Sequence, residues 1–192
     1  QQALFICDWS FGKMYAVHME PSGSSYAGTA EEFITGQPLA LTDLVVNPVD
    51  GAMYFAVGGR RTQGALYRVT YAGGESTAPS EGNKQLVRQR ELRRQLESFH
   101  GRKDPAAVET VWRHLGSKDR ALRFAARVAL EWQDTATWSE RALKARRPRV
   151  AIASLAALSR ASSRDLPHRR EGAPQPELAL QRNILEALDR ID

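Results

Sequence analysis

Hydrophobic positions recur every second residue in short bursts over residues 3–71, and every third or fourth residue over residues 84–191. The first pattern belongs to strands and the second to helices. Residues 3–7 are an apolar run closed by the turn-rich Asp8-Trp9-Ser10-Phe11-Gly12. Residues 13–19 alternate, with Met14, Ala16 and His18 on one face and Tyr15, Val17 and Met19 on the other. Pro21-Ser22-Gly23-Ser24-Ser25 reads as a turn, and a weaker strand over 29–35 ends at Gly36-Gln37-Pro38. Strands over 43–46 and 52–57 flank Asn47-Pro48-Val49-Asp50-Gly51, a hairpin turn by its Asn-Pro and Asp-Gly steps. A glycine- and arginine-bearing loop over 58–64 leads into the alternating strand 65–71. Six short strands with no helix between them predict antiparallel meanders.

After a Gly/Ser/Pro-rich linker over 72–83, the period changes. Residues 84–99 place Leu92, Leu96 and Phe99 on one helical face with Leu86 nearby, and His100-Gly101 closes the helix. Asp104-Pro105 opens the next, carrying Val108, Val111, Trp112 and Leu115. Ser117 is expected to cap a third, whose stripe is Leu122, Ala125, Val128, Ala129 and Trp132. A weaker helix over 134–145 carries Trp138 and Leu143; Pro148 opens another with Val150, Ala151, Leu155 and Leu158. A Ser/Arg/Pro/Gly loop over 161–176 precedes a last helix with Leu178, Leu185, Leu188 and Ile191.

Two internal echoes organise this pattern. Ala3-Leu4-Phe5-Ile6 followed by Gly12-Lys13-Met14-Tyr15-Ala16-Val17 matches Ala52-Met53-Tyr54-Phe55 followed by Gly64-Ala65-Leu66-Tyr67-Arg68-Val69, at a spacing in the range of propeller blades. Under two blades cannot close a ring, so open edges and a bare face are expected. In the helical part, residues 119–130 align with 147–158 at an offset of 28, so that Leu122 meets Val150, Ala125 meets Ala153 and Leu130 meets Leu158. The predicted class is α+β. An N-terminal antiparallel β-meander over 1–71 (a partial β-propeller of under two blades) and a linker over 72–83 precede an all-α helical region over 84–192.

Composition narrows the chemistry. Of 192 residues, 42% are hydrophobic and 26% charged, an ordinary globular balance. The net charge of +5 divides unevenly: −2 over residues 1–74 and +7 over 75–192. A single cysteine, Cys7, excludes an internal disulfide framework, a multi-Cys zinc site and a C-x-x-C-H haem attachment. The longest apolar stretch, residues 150–158, is too short to span a bilayer, and no charged and apolar leader opens the chain. Gln1 running almost directly into a strand predicts a processed chain or a piece of a longer one.

Certain motifs carry a family resemblance. Phe5-Ile6-Cys7-Asp8-Trp9-Ser10-Phe11-Gly12-Lys13-Met14-Tyr15-Ala16-Val17-His18, Leu41-Thr42-Asp43-Leu44-Val45-Val46-Asn47-Pro48 with Asp50-Gly51-Ala52-Met53-Tyr54-Phe55, and Gly58-Gly59-Arg60-Arg61 with Leu66-Tyr67-Arg68-Val69 resemble the last blades of a quinoprotein β-propeller of the glucose and sorbosone dehydrogenase type. Asp119 and Leu122-Arg123 with Ala125-Ala126 resemble the inner helix of a HEAT repeat. The resemblance implies a fragment of an oxidoreductase that oxidises a sugar or related alcohol with pyrroloquinoline quinone (PQQ) and calcium. It also implies a cytochrome c electron acceptor and a periplasmic or extracellular location. The missing blades would come in cis or from a partner protein, so this chain would supply propeller wall and helical spacer and be inactive alone.

Under that resemblance, Arg60 and Arg61 are candidates to pair with carboxylates of a quinone or acidic substrate, against the plainer reading of a solvated loop. Asp43 could help to hold a cation in a channel, or cap the turn after Pro38. His18 has no partner visible in the sequence, Asp8-Trp9 reads as a turn aspartate with a packing aromatic, and Cys7 as a small buried hydrophobe. Arg141, Lys144, Arg146, Arg147 and Arg149 cluster at one junction, with Arg164, Arg169 and Arg170 in a loop. Acidic residues such as Glu91, Glu97, Asp119 and Glu140 are interspersed and no nucleic-acid signature accompanies the cluster, which favours solvated helical faces over phosphate binding. The alternative to an oxidoreductase fragment is a non-enzymatic protein-interaction scaffold built on the helical repeats.

Overall fold

The structure, a computed structural model, describes residues 3–59, 61–76, 78, 84–162 and 178–191. It is α+β, with two three-stranded antiparallel sheets and six helices among the described residues. The chain divides into two compact units, Gln1–Ser22 with Tyr26–Gln85, and Gly23–Ser25 with Leu86–Asp192. Residues 163–177, which include most of the loop predicted over 161–176 and its Arg164, Arg169 and Arg170, lie outside the described residues.

The first unit contains β1 (Ala3–Asp8), β2 (Lys13–Ser22) and β3 (Ser25–Thr35) in one sheet, and β4 (Leu41–Val46), β5 (Met53–Gly59) and β6 (Thr62–Val69) in the other. Each sheet is ordered as its strands are in sequence. Strands β2 and β3 run longer than the pattern predicts, because Pro21 and Ser22 stay extended and the reversal is left to Gly23 at φ 58. Alternation decides the faces: Phe5 and Cys7 turn inward on β1, while Leu4 and Ile6 are exposed. The inner face gathers on Met14, Leu41, Met53 and Phe55, with Ile34, Leu39 and Val69 against them. Two aromatic pairs brace it, Phe55 stacked on Tyr67 of the neighbouring strand at 4.9 Å and Phe5 against Phe33 at 5.3 Å. The Asp8 carboxylate accepts the Ser10 and Phe11 N–H groups, and the Trp9 indole donates to the Gly58 carbonyl at 3.0 Å, which links the two sheets. Val45, Val46 and Leu66 join Leu4 and Ile6 as exposed apolar side chains.

The second unit is helical: α1 (Val87–Glu97), α2 (Ala107–Trp112), α3 (Arg120–Glu131), α4 (Ser139–Leu143), α5 (Pro148–Ser162) and α6 (Leu178–Leu188), with one 3-10 turn at Thr135–Thr137. Helix α3 packs against α1, α2 and α5. It can do so because Ala125, Ala126 and Ala129 let its backbone come close to its neighbours. Burial matches at several positions related by the 28-residue offset but not at all, since Ala125 is buried and Ala153 only partly so. Leu122 and Val150, Ala126 and Ser154, Ala129 and Ala157, and Leu130 and Leu158 are buried at matching positions of α3 and α5.

The helices depart from the sequence pattern at three places. The N-cap of α3 is Asp119, whose side chain accepts the Ala121 and Leu122 N–H groups; Ser117 instead takes the Asp119 N–H through its hydroxyl. Trp132 falls outside the buried stripe, because Leu122, Ala125, Ala126, Ala129 and Leu130 define the packed side of α3 and Trp132 lies on its flank. On α6 the buried positions are Ile184 and Ala187, while Leu178, Leu185 and Leu188 are exposed. That helix is apolar around most of its circumference, so periodicity alone could not choose its inner face.

Asp119 also receives the Ser24 N–H and hydroxyl within the second unit, at 2.6 and 2.9 Å. Burial acts to raise its pKa, but the hydrogen bonds from Ser24, Leu122 and Ala121 outweigh that and hold the carboxyl below its ordinary range. Asp119→Ala is therefore expected to cost about 1–2 kcal/mol in urea unfolding, the usual loss for an N-cap. A carboxyl with a lowered native pKa stabilises fully above its unfolded value and stops doing so as pH falls through the native one. The gap between wild type and variant should accordingly narrow on acidification below about pH 4.

Candidate functional site

The residues singled out from the sequence are dispersed over the first unit. Asp43 is exposed on β4, where its carboxylate accepts the adjacent Leu44 N–H at 2.7 Å; that bond replaces the expected cap on the turn after Pro38. Arg61 is exposed at the start of the β6 hairpin with φ 60, a left-handed conformation that a non-glycine residue adopts at a cost. Arg60 lies outside the described residues. Asp43 pairs with Ala56 and Ala56 with Leu66, so Asp43 and Arg61, at the hairpin tip beyond Gly59, are roughly 15 Å apart between Cα atoms. His18 does have a partner: its Nε2 lies 3.3 Å from the Glu31 carboxylate. Cys7 is half-buried, and burial, reinforced by the negative charge of Asp43, pushes its thiol pKa up, away from thiolate chemistry. Among the described residues, no three of His, Cys, Asp and Glu gather closely enough to hold a metal ion. Asp50 is busy with its own turn, taking the Tyr54 hydroxyl at 2.8 Å, the Ala52 N–H and the Arg68 guanidinium.

Among the described residues, a concave surface lies in the second unit, on the flank of α3. Phe124, Val128 and Trp132 follow one another at intervals of four residues and line one side of the helix. Phe124 is 58% exposed and Trp132 49% exposed. Between them run Arg127 and Glu131, also four apart. The Arg127 guanidinium sits 5.2 Å from the Phe124 ring centroid and 3.3 Å from Glu131 Oε1. Arg160, from the last turn of α5, reaches Glu131 Oε2 through its Nε at 3.1 Å. The Glu131 side chain is only 14% exposed, so one largely covered carboxylate holds two guanidiniums. With Ala161, these side chains surround a hollow of about 540 Å³.

A second hollow of about 450 Å³ shares Glu131, Trp132 and Ala161 with the first and continues past Arg102, Lys103 and Asp134. Its wall is tied down by Gln133, whose carboxamide is buried. Oε1 accepts the Asp104 N–H at 2.9 Å, and Nε2 donates to the carbonyls of Arg102 and Ala129 at 3.1 and 3.0 Å. Together the hollows make a groove with aromatic sides, arginines at its margins and a fixed loop at one end.

Of the basic junction predicted around α4 and α5, Arg141 and Lys144 have partners on neighbouring side chains, while Arg146, Arg147 and Arg149 are exposed. Arg141 stacks over Trp112 at 4.3 Å and pairs with Glu109, and Lys144 pairs with Glu140. The groove was missed because Trp132 and Val128 were assigned to the core stripe. A usable signal lay in the 28-residue echo, which puts Arg160 at the α5 position equivalent to Trp132. In comparisons with known proteins, no family model, no curated protein and no solved structure matches this chain.

Burial separates two tryptophans that the sequence treats alike. Trp138 is 1% exposed in the helical core, whereas Trp132 stands at the groove. Trp138→Ala should cost about 3–5 kcal/mol. Trp132→Ala should cost about 1 kcal/mol, leaving a folded protein whose urea midpoint is close to that of wild type.

Proposed function

We propose that this chain is a non-enzymatic protein-interaction module, whose HEAT-like helical region receives a segment of a partner in the groove beside α3. The observation that carries this reading is the pair of large aromatics, Phe124 and Trp132, left about half exposed around a hollow of about 540 Å³. Exposed apolar side chains that cluster around a concavity and are rimmed by charge are the usual mark of an interaction site. The stacked arrangement of α3 and α5, with matching buried positions, supports the comparison with helical repeats, whose concave surfaces serve this purpose. The test is selection from a random-peptide display library on the full chain. Peptides should be enriched on wild type and fail to be retained by a Phe124→Ser, Trp132→Ser double variant of unchanged helical content. A library that yields nothing dependent on those two residues overturns the reading.

A second reading rests on the resemblance of residues 3–71 to quinoprotein propeller blades. Two successive three-stranded antiparallel meanders, with a thin inner face and exposed apolar positions on the other, favour it. In that reading the first unit is propeller wall, completed by further blades in cis or from a partner protein. Asp43 and Arg61 do not converge on one ligand, and no metal-holding group is gathered among the described residues. The residues present therefore do not fit PQQ or calcium by themselves, and no chemical step is assigned to them. The two readings part on a thermal-shift titration of the full chain. The interaction module predicts no change with PQQ plus calcium, whereas a saturable rise in Tm that needs both components would favour the quinoprotein reading.

A further inference from the structure

We infer that the partner segment of the α3 groove is an acidic peptide carrying a large apolar side chain. The inference rests on the interaction-module reading and adds the chemistry of the ligand. Four cations line the two hollows, Arg102, Lys103, Arg127 and Arg160, against two carboxylates, Glu131 and Asp134. Asp104 approaches Arg102 at 3.5 Å, and even with it counted the groove keeps a positive charge in excess.

That excess is placed where a ligand can use it. Glu131 neutralises one guanidinium's worth of charge but is shared by two. Arg160 is 65% exposed and spends only its Nε on Glu131, so that bond leaves its terminal Nη pair outside the contact. A planar fork of N–H donors at a partly desolvated margin is suited to a carboxylate, which it can engage through two parallel hydrogen bonds. Lys103 offers a second positive point at the far end of the groove. Beside these charges, Phe124, Val128 and Trp132 provide an apolar wall, and an inserted aliphatic or aromatic side chain would cover surface that water now wets.

Two other ligand chemistries fit less well. A wholly apolar peptide would cover Arg160 without replacing its water, at a cost in affinity. A single-stranded nucleic acid would find aromatics for stacking, but its evenly spaced phosphates need a continuous basic track, which Glu131 and Asp134 interrupt, whereas a peptide can carry carboxylates only where the cations stand.

The experiment measures fluorescence anisotropy of the full chain with three labelled probes. These are a peptide of about twelve residues with Asp and Glu around a central Leu-Phe pair, the same peptide with Asn and Gln in place of the acids, and an oligouridylate of similar length. The acidic peptide should bind saturably and weaken as salt is raised, and the amide version should bind at least about tenfold more weakly, the usual effect of losing a charge-assisted contact. Arg160→Gln should bring the acidic peptide down to the affinity of the amide version, Arg160→Lys should restore part of the loss, and Trp132→Ala should weaken both peptides. Lys144→Gln, a change on α4 where Lys144 pairs with Glu140, should alter neither. Equal binding of the two peptides, or an acidic peptide indifferent to Arg160→Gln, overturns the charge inference while the interaction module stands. Tighter binding of the oligouridylate, lost with Arg160→Gln, overturns it in favour of nucleic acid. No binding of any probe, when the display library still yields Trp132-dependent peptides, overturns the ligand chemistry alone; failure of both experiments removes the module with it.

Discussion

The helical unit depends on how closely other helices can approach α3. Three helices pack against it, and they reach its backbone because Ala125, Ala126 and Ala129 put nothing larger than a methyl group in the way. Packing of this density is sensitive to a single added methylene, so the small side chains are as much a constraint as Leu122 and Leu130 beside them. The same constraint determines what remains outside. With one side of α3 committed to close contact, the bulky Phe124, Val128 and Trp132 can only stand on its flank. The groove is thus a by-product of the way the core is built, and its aromatics are held by a helix that cannot roll without opening that core.

The first unit is held by different means. Its inner face has few large side chains, and much of its order comes from polar and aromatic ties. Asp8 fixes the turn before β2, the Trp9 indole reaches Gly58, and Asp50 gathers Tyr54, Ala52 and Arg68 around the β4–β5 turn. Two sheets that leave Leu4 and Ile6, and Val45 and Leu66, in water gain little from those faces. Such a surface is what a covering element would need to find, and it is also an aggregation hazard while it remains uncovered.

Much of this fold could be read from the sequence, and the misreadings have physical causes. The six strands and six helices follow from the change of period near residue 84, and the 28-residue echo anticipated the buried matches of α3 and α5. Strand ends were misplaced where Pro21 and Ser22 looked like turn residues but remained extended, since an edge or terminal position tolerates proline. Helix faces were misassigned where apolar residues exceed what one face can bury: Trp132 on α3, and Leu178, Leu185 and Leu188 on α6. The site was the least legible part. Glu131 and Arg160 are 29 positions apart in sequence, and nothing local announces that two guanidiniums will share that carboxylate. Asp43 and Arg61 are singled out by the resemblance to quinoprotein blades, one for a cation and the other for carboxylates, and the strand register sets them apart on the sheet.

Gln133 gives the groove a property of its own. Its carboxamide joins the loop at Arg102 and Asp104 to the end of α3 with three hydrogen bonds, all made by a group that carries no charge and does not titrate. These three bonds hold the loop with nothing bound and do not depend on pH, whereas the Arg102–Asp104 pair beside them does. A visitor to this surface would meet a finished mould and would not have to order it, so whatever selectivity the groove has is exercised at first contact, without a later closing step.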